Sequence, residues 1–245
     1  MTAWCAMALD RDDRDHDGDD HGPTDGDPEE IAEVLGESRW PPAITLFVAM
    51  VVPLLLPGRY SLGPPWAASA LLLLLLIALT VADPGRINRR TATVRVLEIV
   101  LVAVLAIGAA TVTIALTAEL IKGDPRLNDP TTLLGSGALV WLQIIIAFTF
   151  VYWEADGGGT VNRASGATPY PDFAFPQHMN PELAPPGWRP LFPDYLYLGT
   201  TCALAFSPTD AMPLKHWAKL AMALEAVMSL VIIGLVVARA VNILN

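Results

Sequence analysis

Residues 191–244 read LFPDYLYLGTTCALAFSPTDAMPLKHWAKLAMALEAVMSLVIIGLVVARAVNIL, and the rest of the chain is organised around them. Tyr195 to Phe206 is a short apolar segment that runs into the polar turn Ser207-Pro208-Thr209-Asp210. A long apolar segment, Trp217 to Ile243, follows. A helix needs ~20 apolar residues to cross a bilayer, so the second segment is long enough and the first is not. A half-length helix, a polar turn and a full span together predict a re-entrant hairpin. A non-helical turn survives at membrane depth only where protein buries it or where it lines water. Pro193-Asp194 reads as the start of the half-helix, with Asp194 as N-cap and the helix covering about 194–206. The last span is expected from near Pro213 to Ile243, with Lys215, His216 and Lys219 at its entry and Arg239 near its other end.

The composition agrees with that setting. Of 245 residues, 53% are hydrophobic and 16% charged, and the mean hydropathy is +0.45. Soluble domains carry ~25% charged residues. The apolar residues here come in long uninterrupted blocks, which is the pattern of membrane spans. The net charge of -10 is concentrated in a tail before Trp40. No basic patch interleaved with aromatics appears, so nucleic acid is not an expected partner. Cys5 lies in the tail and Cys202 in the expected half-helix, so a structural disulfide is not expected. Residues 1–9 are mildly apolar, but an acidic run follows where a signal peptide would have its cleavage site.

Residues 1–39 form the tail, and 10–37 of it are low-complexity and acidic, a composition that predicts disorder. Asp13, Asp15, Asp17 and Gly18 match the opening of a calcium loop, while Thr24 stands where its bidentate Glu belongs. Calcium binding and a plain solvated tail are the two readings. His16 and His21 have no ligand-grade spacing with cysteines.

Residues 40–153 hold four expected spans. The first is about Pro42 to Pro57, with Pro53 predicting a kink and Trp40 and Tyr60 as interfacial anchors. The second is Trp66 to Ala82, with leucine at every position from Leu71 to Leu76. Next comes the densest positive cluster, Arg86, Arg89, Arg90 and Arg95, and short arginine-rich loops stay cytoplasmic. The third span is Val94 to Leu120, where Gly108, Ala109, Ala110, Thr111 and Thr113 are small residues that let helices approach. The fourth is Thr132 to Trp153, with Gln143 as its strongly polar interior residue and Tyr152 and Trp153 fitting an interfacial belt. Gly157-Gly158-Gly159 lets the chain leave the helix. Residues 154–190 are rich in proline, glycine and aromatics, and Phe173, Phe175 and Trp188 predict a compact cap over the membrane surface.

An aromatic half-helix with Thr200 and Thr201, a polar turn, a basic entry residue and a long Gly-containing span resemble the pore module of potassium-channel-type proteins. There, a pore helix leads into a carbonyl-lined filter and an inner helix. The TVGYG filter is replaced here by Ala203-Leu204-Ala205-Phe206-Ser207-Pro208-Thr209-Asp210, so potassium selectivity does not carry over. The chain after residue 40 is also similar to a family of predicted bacterial membrane proteins of unknown function. Arg86 to Arg90, Asp172 to Pro176, Asp194 to Tyr197 and Ser207 to Asp210 carry that resemblance, which implies fold and not activity.

Each candidate residue has a plain reading beside the functional one. Ser207-x-x-Asp210 with Pro208 is a capping box for the last span, or Thr209 or Asp210 caps a helix starting nearer Pro213. Asp210 and Glu225 are acids in or near a span, where ionised groups face a cavity or a partner. The plain reading pairs Glu225 with a Lys or Arg and lets Arg239 snorkel. Thr200 and Thr201 can bond back to their own helix. A hydrolase built from Ser207, His178 and Asp210 lacks the nucleophile-elbow glycines. No P-loop, dinucleotide or metalloprotease motif occurs, and no cofactor or enzymatic activity is expected.

The expectation is an all-α, polytopic transmembrane helical bundle of five spans plus one re-entrant half-helix in 191–245. It would lie in a bacterial inner membrane with a cytoplasmic N-terminus. Charge counting also puts the cap inside, although channels of the resembled type place their pore loop outside. The expected function is a channel-like homo-oligomeric pore for small ions, a tetramer by analogy, lined by Thr200, Thr201, Ser207, Pro208, Thr209, Asp210 and Glu225. The alternative is a non-conducting scaffold or sensor whose acidic tail binds a partner or calcium. A transporter would call for an inverted repeat of broken helices, and none is visible.

Overall fold

The computed structural model describes residues 37–56, 64–82, 86–87, 91–164, 170–204 and 210–244. The calcium-loop candidates Asp13, Asp15 and Asp17 lie outside the described residues, as do Ser207, Pro208 and Thr209. Among the described residues there are eight α-helices: α1 (Trp40–Leu55), α2 (Pro65–Ala82), α3 (Ala92–Lys122), α4 (Pro130–Ala155), α5 (Thr160–Ala164), α6 (Pro176–Met179), α7 (Phe192–Leu204) and α8 (His216–Leu244). Two short antiparallel ribbons accompany them. β1 (Glu37–Ser38) pairs with β2 (Arg86–Ile87), and β3 (Phe173–Ala174) pairs with β4 (Met212–Pro213). Three helices, α3, α4 and α8, are long and apolar enough to cross a membrane, while α1 and α2 are shorter apolar helices.

The helix ends follow local chemistry. Pro41 and Pro42 sit in the first turn of α1, where a missing N–H costs nothing. Thr91 caps α3 by accepting from Val94 N, and Gly123, with φ 74°, ends it in the left-handed conformation. Asp129 caps α4 by accepting from Thr132 N at 2.7 Å, with Pro130 in the first turn. The glycines after α4 take φ of 60°, 80° and 103°, which releases the chain from the helix as their type allows.

α4 is the centre of the bundle. It packs against α1, α3, α7 and α8, and its most apolar stretch is 56% buried, against 22% for α8. Tyr152 is fully buried and Trp153 is nearly so. The sequence places both at a lipid interface. They instead meet Phe173 and Phe192 edge-on, because the cap and α7 close over the end of α4. The outer faces of α2, α3 and α8 carry exposed Leu74, Ile107, Ile114 and Val227, an apolar surface of the kind that lipid covers.

The elements share one polar end, the cap end. There the β1–β2 ribbon, the start of α3, the end of α4, the cap and the starts of α7 and α8 all meet. The far end holds the α3–α4 turn, where Arg239 reaches the Asn128 side chain and lies beside Gly123. Arg239 is therefore tied to that turn.

Among the glycines, close approach occurs at Gly137 and Gly199 and not at Gly108, while Ala109 and Thr113 of α3 are buried. A Cβ on Gly108 would meet nothing within 4 Å. A Cβ on Gly199 would lie 2.7 Å from Thr149 Oγ1 and 3.3 Å from the Ile145 carbonyl, and one on Gly137 would lie 2.8 Å from Val236. Gly199→Ala is expected to destabilise the purified protein by ~1–3 kcal/mol through overpacking against backbone. Gly108→Ala is expected to be neutral or to stabilise by up to ~1 kcal/mol through helix propensity. Unfolding in mixed detergent micelles measures both, and equal effects at the two sites would contradict the packing described.

Candidate functional site

α7 starts two residues earlier than the sequence predicts, and Asp194 is not its N-cap. Asp194 lies in the first turn and reaches back, its Oδ2 accepting from Leu191 N at 2.8 Å. From there α7 runs antiparallel along α4. Phe192 packs on Phe150 and Trp153, Gly199 lies against Ile145 and Thr149, and the Ala203 carbonyl is 3.5 Å from Trp141 Nε1. The stretch from Trp153 down to Trp141 is ~18 Å at the helical rise. α4 continues for ~16 Å below Trp141, but α7 stops at Leu204. By Met212–Pro213 the chain is back in the cap, paired with Phe173–Ala174.

The outer side of this hairpin carries several of the expected residues. Tyr197 is exposed, and its hydroxyl donates to Asp210 Oδ2 at 3.3 Å. Asp210, Thr201, Asp194 and Gln177 line one small cavity of about 150 Å3. Thr200 Oγ1 donates to the Leu196 carbonyl at 2.7 Å, and Thr201 Oγ1 to the Tyr197 carbonyl at 2.9 Å, so both hydroxyls bond back to their own helix. Ser207-x-x-Asp210 does not open the last helix, because α8 begins at His216 and Asp210 is instead bonded by Tyr197.

Glu225 lies apart from that surface. It is fully buried where α4, α7 and α8 meet. Its Oε2 accepts from the Tyr152 hydroxyl at 2.5 Å, and the Cys202 thiol lies beside the same carboxyl. Its Oε1 has no hydrogen-bond partner. The expected Lys or Arg partner is replaced by a phenol. One turn further along α8, Ser229 is also fully buried with an unpartnered hydroxyl, and on α4 Gln143 Oε1 and Thr149 Oγ1 are unpartnered too. Cys202 is a free buried thiol.

The cap end is held by polar groups that sequence reasoning passes over. Asp156 Oδ1 accepts from Asp172 N at 2.9 Å, its Oδ2 accepts from the Tyr195 hydroxyl, and its carbonyl accepts from Arg163 at 2.8 Å. Arg163 also lies 5.0 Å above the Tyr195 ring. Asp172 pairs with Lys215 and accepts from Trp217 Nε1 at 3.0 Å. Glu37 accepts from Trp153 Nε1 and from Phe192 N, and burial pushes its carboxyl above the usual range despite those bonds. A chain signal for Asp156 exists, an acid between a span and three glycines. Nothing local announces Glu37 or Arg163. Among the described residues no group of three or more His, Cys, Asp or Glu could hold a metal ion.

This arrangement defines a helical protein with three helices long and apolar enough to cross a membrane. Compared with protein-family models, curated proteins and solved structures, the chain matches none.

Two outcomes follow from the buried groups. Tyr152→Phe strands the second oxygen of Glu225 and is expected to cost ~1–3 kcal/mol. Adding Glu225→Leu should recover most of that loss, since removing both partners leaves nothing unsatisfied. Purely additive losses in detergent unfolding would mean the two side chains are not coupled.

His178 Nδ1 accepts from Phe175 N at 3.2 Å, and its ring lies 5.2 Å from that of Trp188. Burial, against an opposing pull from Asp156, holds its proton affinity below the ordinary 6.5. The unfolded chain therefore binds this proton more tightly than the folded one. The contribution is complete above pH 6.5 and is lost as pH falls through the lowered folded value. Limited proteolysis within 176–190 should accelerate on acidification from neutral pH in the wild type. His178→Phe, which keeps the ring contacts and has no proton to gain, should remove that acceleration.

Proposed function

We propose that the chain is a polytopic membrane protein with five spans and one re-entrant half-helix, assembled as a homo-oligomeric, channel-like pore for small ions. The depth at which α7 stops carries this reading. It enters from the cap end, ends beside the middle of α4, and returns to the same end within eight residues, Leu204 to Met212. A helix that ends at half depth presents its carbonyl end, the negative end of its dipole, where a permeating cation loses its water. Asp210 adds a carboxylate on the exposed side of the hairpin, beside Tyr197 and Thr201. The pathway is formed where these surfaces of neighbouring copies face one another, four by analogy with the resembled channels. Cations, not anions, suit both features.

α1 and α2 complete the five spans. At ~24 and ~27 Å they fall short of the ~30 Å hydrocarbon core. Modest local thinning accommodates such helices, and exposed Trp40 and Trp66 stand at opposite ends of the pair as anchors. The Arg86 backbone and Arg95 belong to the cap end, and the bias of arginine toward the cytoplasmic side favours that end as cytoplasmic, with the C-terminus outside. The membrane is the bacterial inner membrane.

Flux from proteoliposomes loaded with potassium or sodium salts tests the reading. Wild type should pass cations down a gradient, and Asp210→Asn should lower the rate about tenfold, as expected for ~1.4 kcal/mol lost in the path. Thr209→Cys, in a Cys5→Ser background, should crosslink between copies under mild oxidation. A monomeric protein with no flux under any gradient would leave the non-conducting scaffold or sensor in its place.

A further inference from the structure

Glu225 is fully buried at the seam where α8 meets α4 and α7, inside a helix long and apolar enough to cross a membrane. A carboxylate ion offers about four acceptor positions on its two oxygens. One donor serves them here, the Tyr152 hydroxyl on Oε2. The Cys202 thiol lies beside the carboxyl, but its hydrogen goes to the Met222 carbonyl at 3.3 Å. Oε1 has no partner and is sealed from solvent, so water does not supply the missing donors.

No cation supplies them either. α4 presents Tyr152 to the carboxyl and α7 presents Cys202. On α8 itself, Lys219 is exposed and off the Glu225 face, and Arg239 is held at the far end. α3 also packs on α8, but its charged residues, Arg95, Glu98, Glu119 and Lys122, lie in its first two turns and its last. β4 carries no titratable group. Ionised in this setting, the carboxyl would be a buried charge with no counter-charge and too few donors. Un-ionised, it needs fewer donors, and Ser229, one turn along the same face, has an unpartnered hydroxyl to accept from it.

We propose that Glu225 is a proton-binding site, and that release of its proton is coupled to separation of α8 from α4 and α7. In the closed seam the carboxyl is un-ionised. On release its O–H bond breaks, the electron pair stays on the carboxylate, and the proton passes to a water molecule that enters as the seam opens. The same water reaches Ser229 and Thr149, whose oxygens are buried and unpartnered while the seam is closed. α8 is the helix suited to move, since its most apolar stretch is 22% buried against 56% for α4. Its ends are tied, by Asp172 to Lys215 and Trp217 and by Asn128 to Arg239, so it parts in the middle. The open form, with its carboxyl in water, ionises above ~4.3. The closed form keeps its proton there, so raising the pH favours the open form about tenfold per unit.

Two measurements on the full chain in lipid vesicles test this. Infrared spectra at neutral pH should contain the carbonyl stretch of an un-ionised carboxyl that is absent in Glu225→Gln. Tyr152→Phe should move that band to higher frequency, because the carbonyl oxygen loses its donor. Amide hydrogen exchange across 220–232 should be compared between wild type and Glu225→Gln at each pH, which cancels the intrinsic chemistry of exchange. The ratio of the two rates should rise about tenfold per unit from about pH 5 to about pH 7. If Glu225→Gln does not fold, the shift in Tyr152→Phe decides. Identical neutral-pH spectra for wild type and Glu225→Gln, no band moved by Tyr152→Phe, or a ratio that does not change with pH would each overturn the proposal. A protein that conducts no ions would give the same readouts, so the pore reading and this one fail separately.

Discussion

The Asp156 carboxylate is the interaction on which the cap end depends. It is the C-cap of α4, where its own N–H still donates to the Tyr152 carbonyl, and it is 1% exposed. Both of its oxygens are occupied, one by the backbone of the cap and one by the first turns of α7, while its carbonyl holds Arg163. A buried acid of this kind is tolerable only when fully bonded, and once bonded it is hard to move, because each lost partner leaves a stranded charge. Asp156 thereby fixes the angle at which α7 leaves the cap. Asp172 repeats the device one step further along, tying the entry of α8 through Lys215 and Trp217.

Below that end the polar groups change character. Glu225, Ser229, Gln143 and Thr149 are buried along α4 and α8, and each keeps an unpartnered oxygen. An apolar interface would pack α4 against α8 with fewer penalties, so these groups make it a poor place for stability alone. Glu225 is the extreme case, an acid with a phenol for partner and no cation beside it. The pore candidates on the outer side of α7 belong to a different surface, and a single path through both would have to pass between α7 and α8.

Much of the helical plan was legible because apolar run length alone sets it. The spans read from Val94 to Leu120 and from Thr132 to Trp153 appear as Ala92–Lys122 and Pro130–Ala155, each end within two residues. Facing was not legible. A helix that is apolar all round has no stripe to say which side meets protein and which meets lipid. Residue type therefore puts Tyr152 and Trp153 in an interfacial belt, but the cap and α7 cover them. The Glu225–Tyr152 pair spans 73 positions, and no local pattern joins such residues. Asp210 misled for a related reason: Ser-x-x-Asp is a sound local signature, but the helix it would open starts six residues later, at His216.

How so short a helix is held in place follows from where it touches α4. Lipid tails are as apolar as leucine, so burying leucines between helices gains little in a bilayer, and close contact and polar bonds have to do the holding. α7 has one such device in each of its turns along α4. Tyr195 bonds Asp156 at the top, Gly199 lets the backbones meet at Thr149 and Ile145 in the middle, and Trp141 reaches the Ala203 carbonyl near the bottom. The last of these matters most for depth. A helix that ends inside a bilayer leaves carbonyls without amide partners, and water is not there to take them. If α7 ends at that depth, as proposed, the Trp141 indole N–H, 3.5 Å from the Ala203 carbonyl, is the side chain that stands nearest to taking one of them. Gln143 lies two residues beyond that tryptophan on the same helix. Positions two apart face different sides of a helix, and the Gln143 Oε1 has no hydrogen-bond partner, so it adds no second bond to α7.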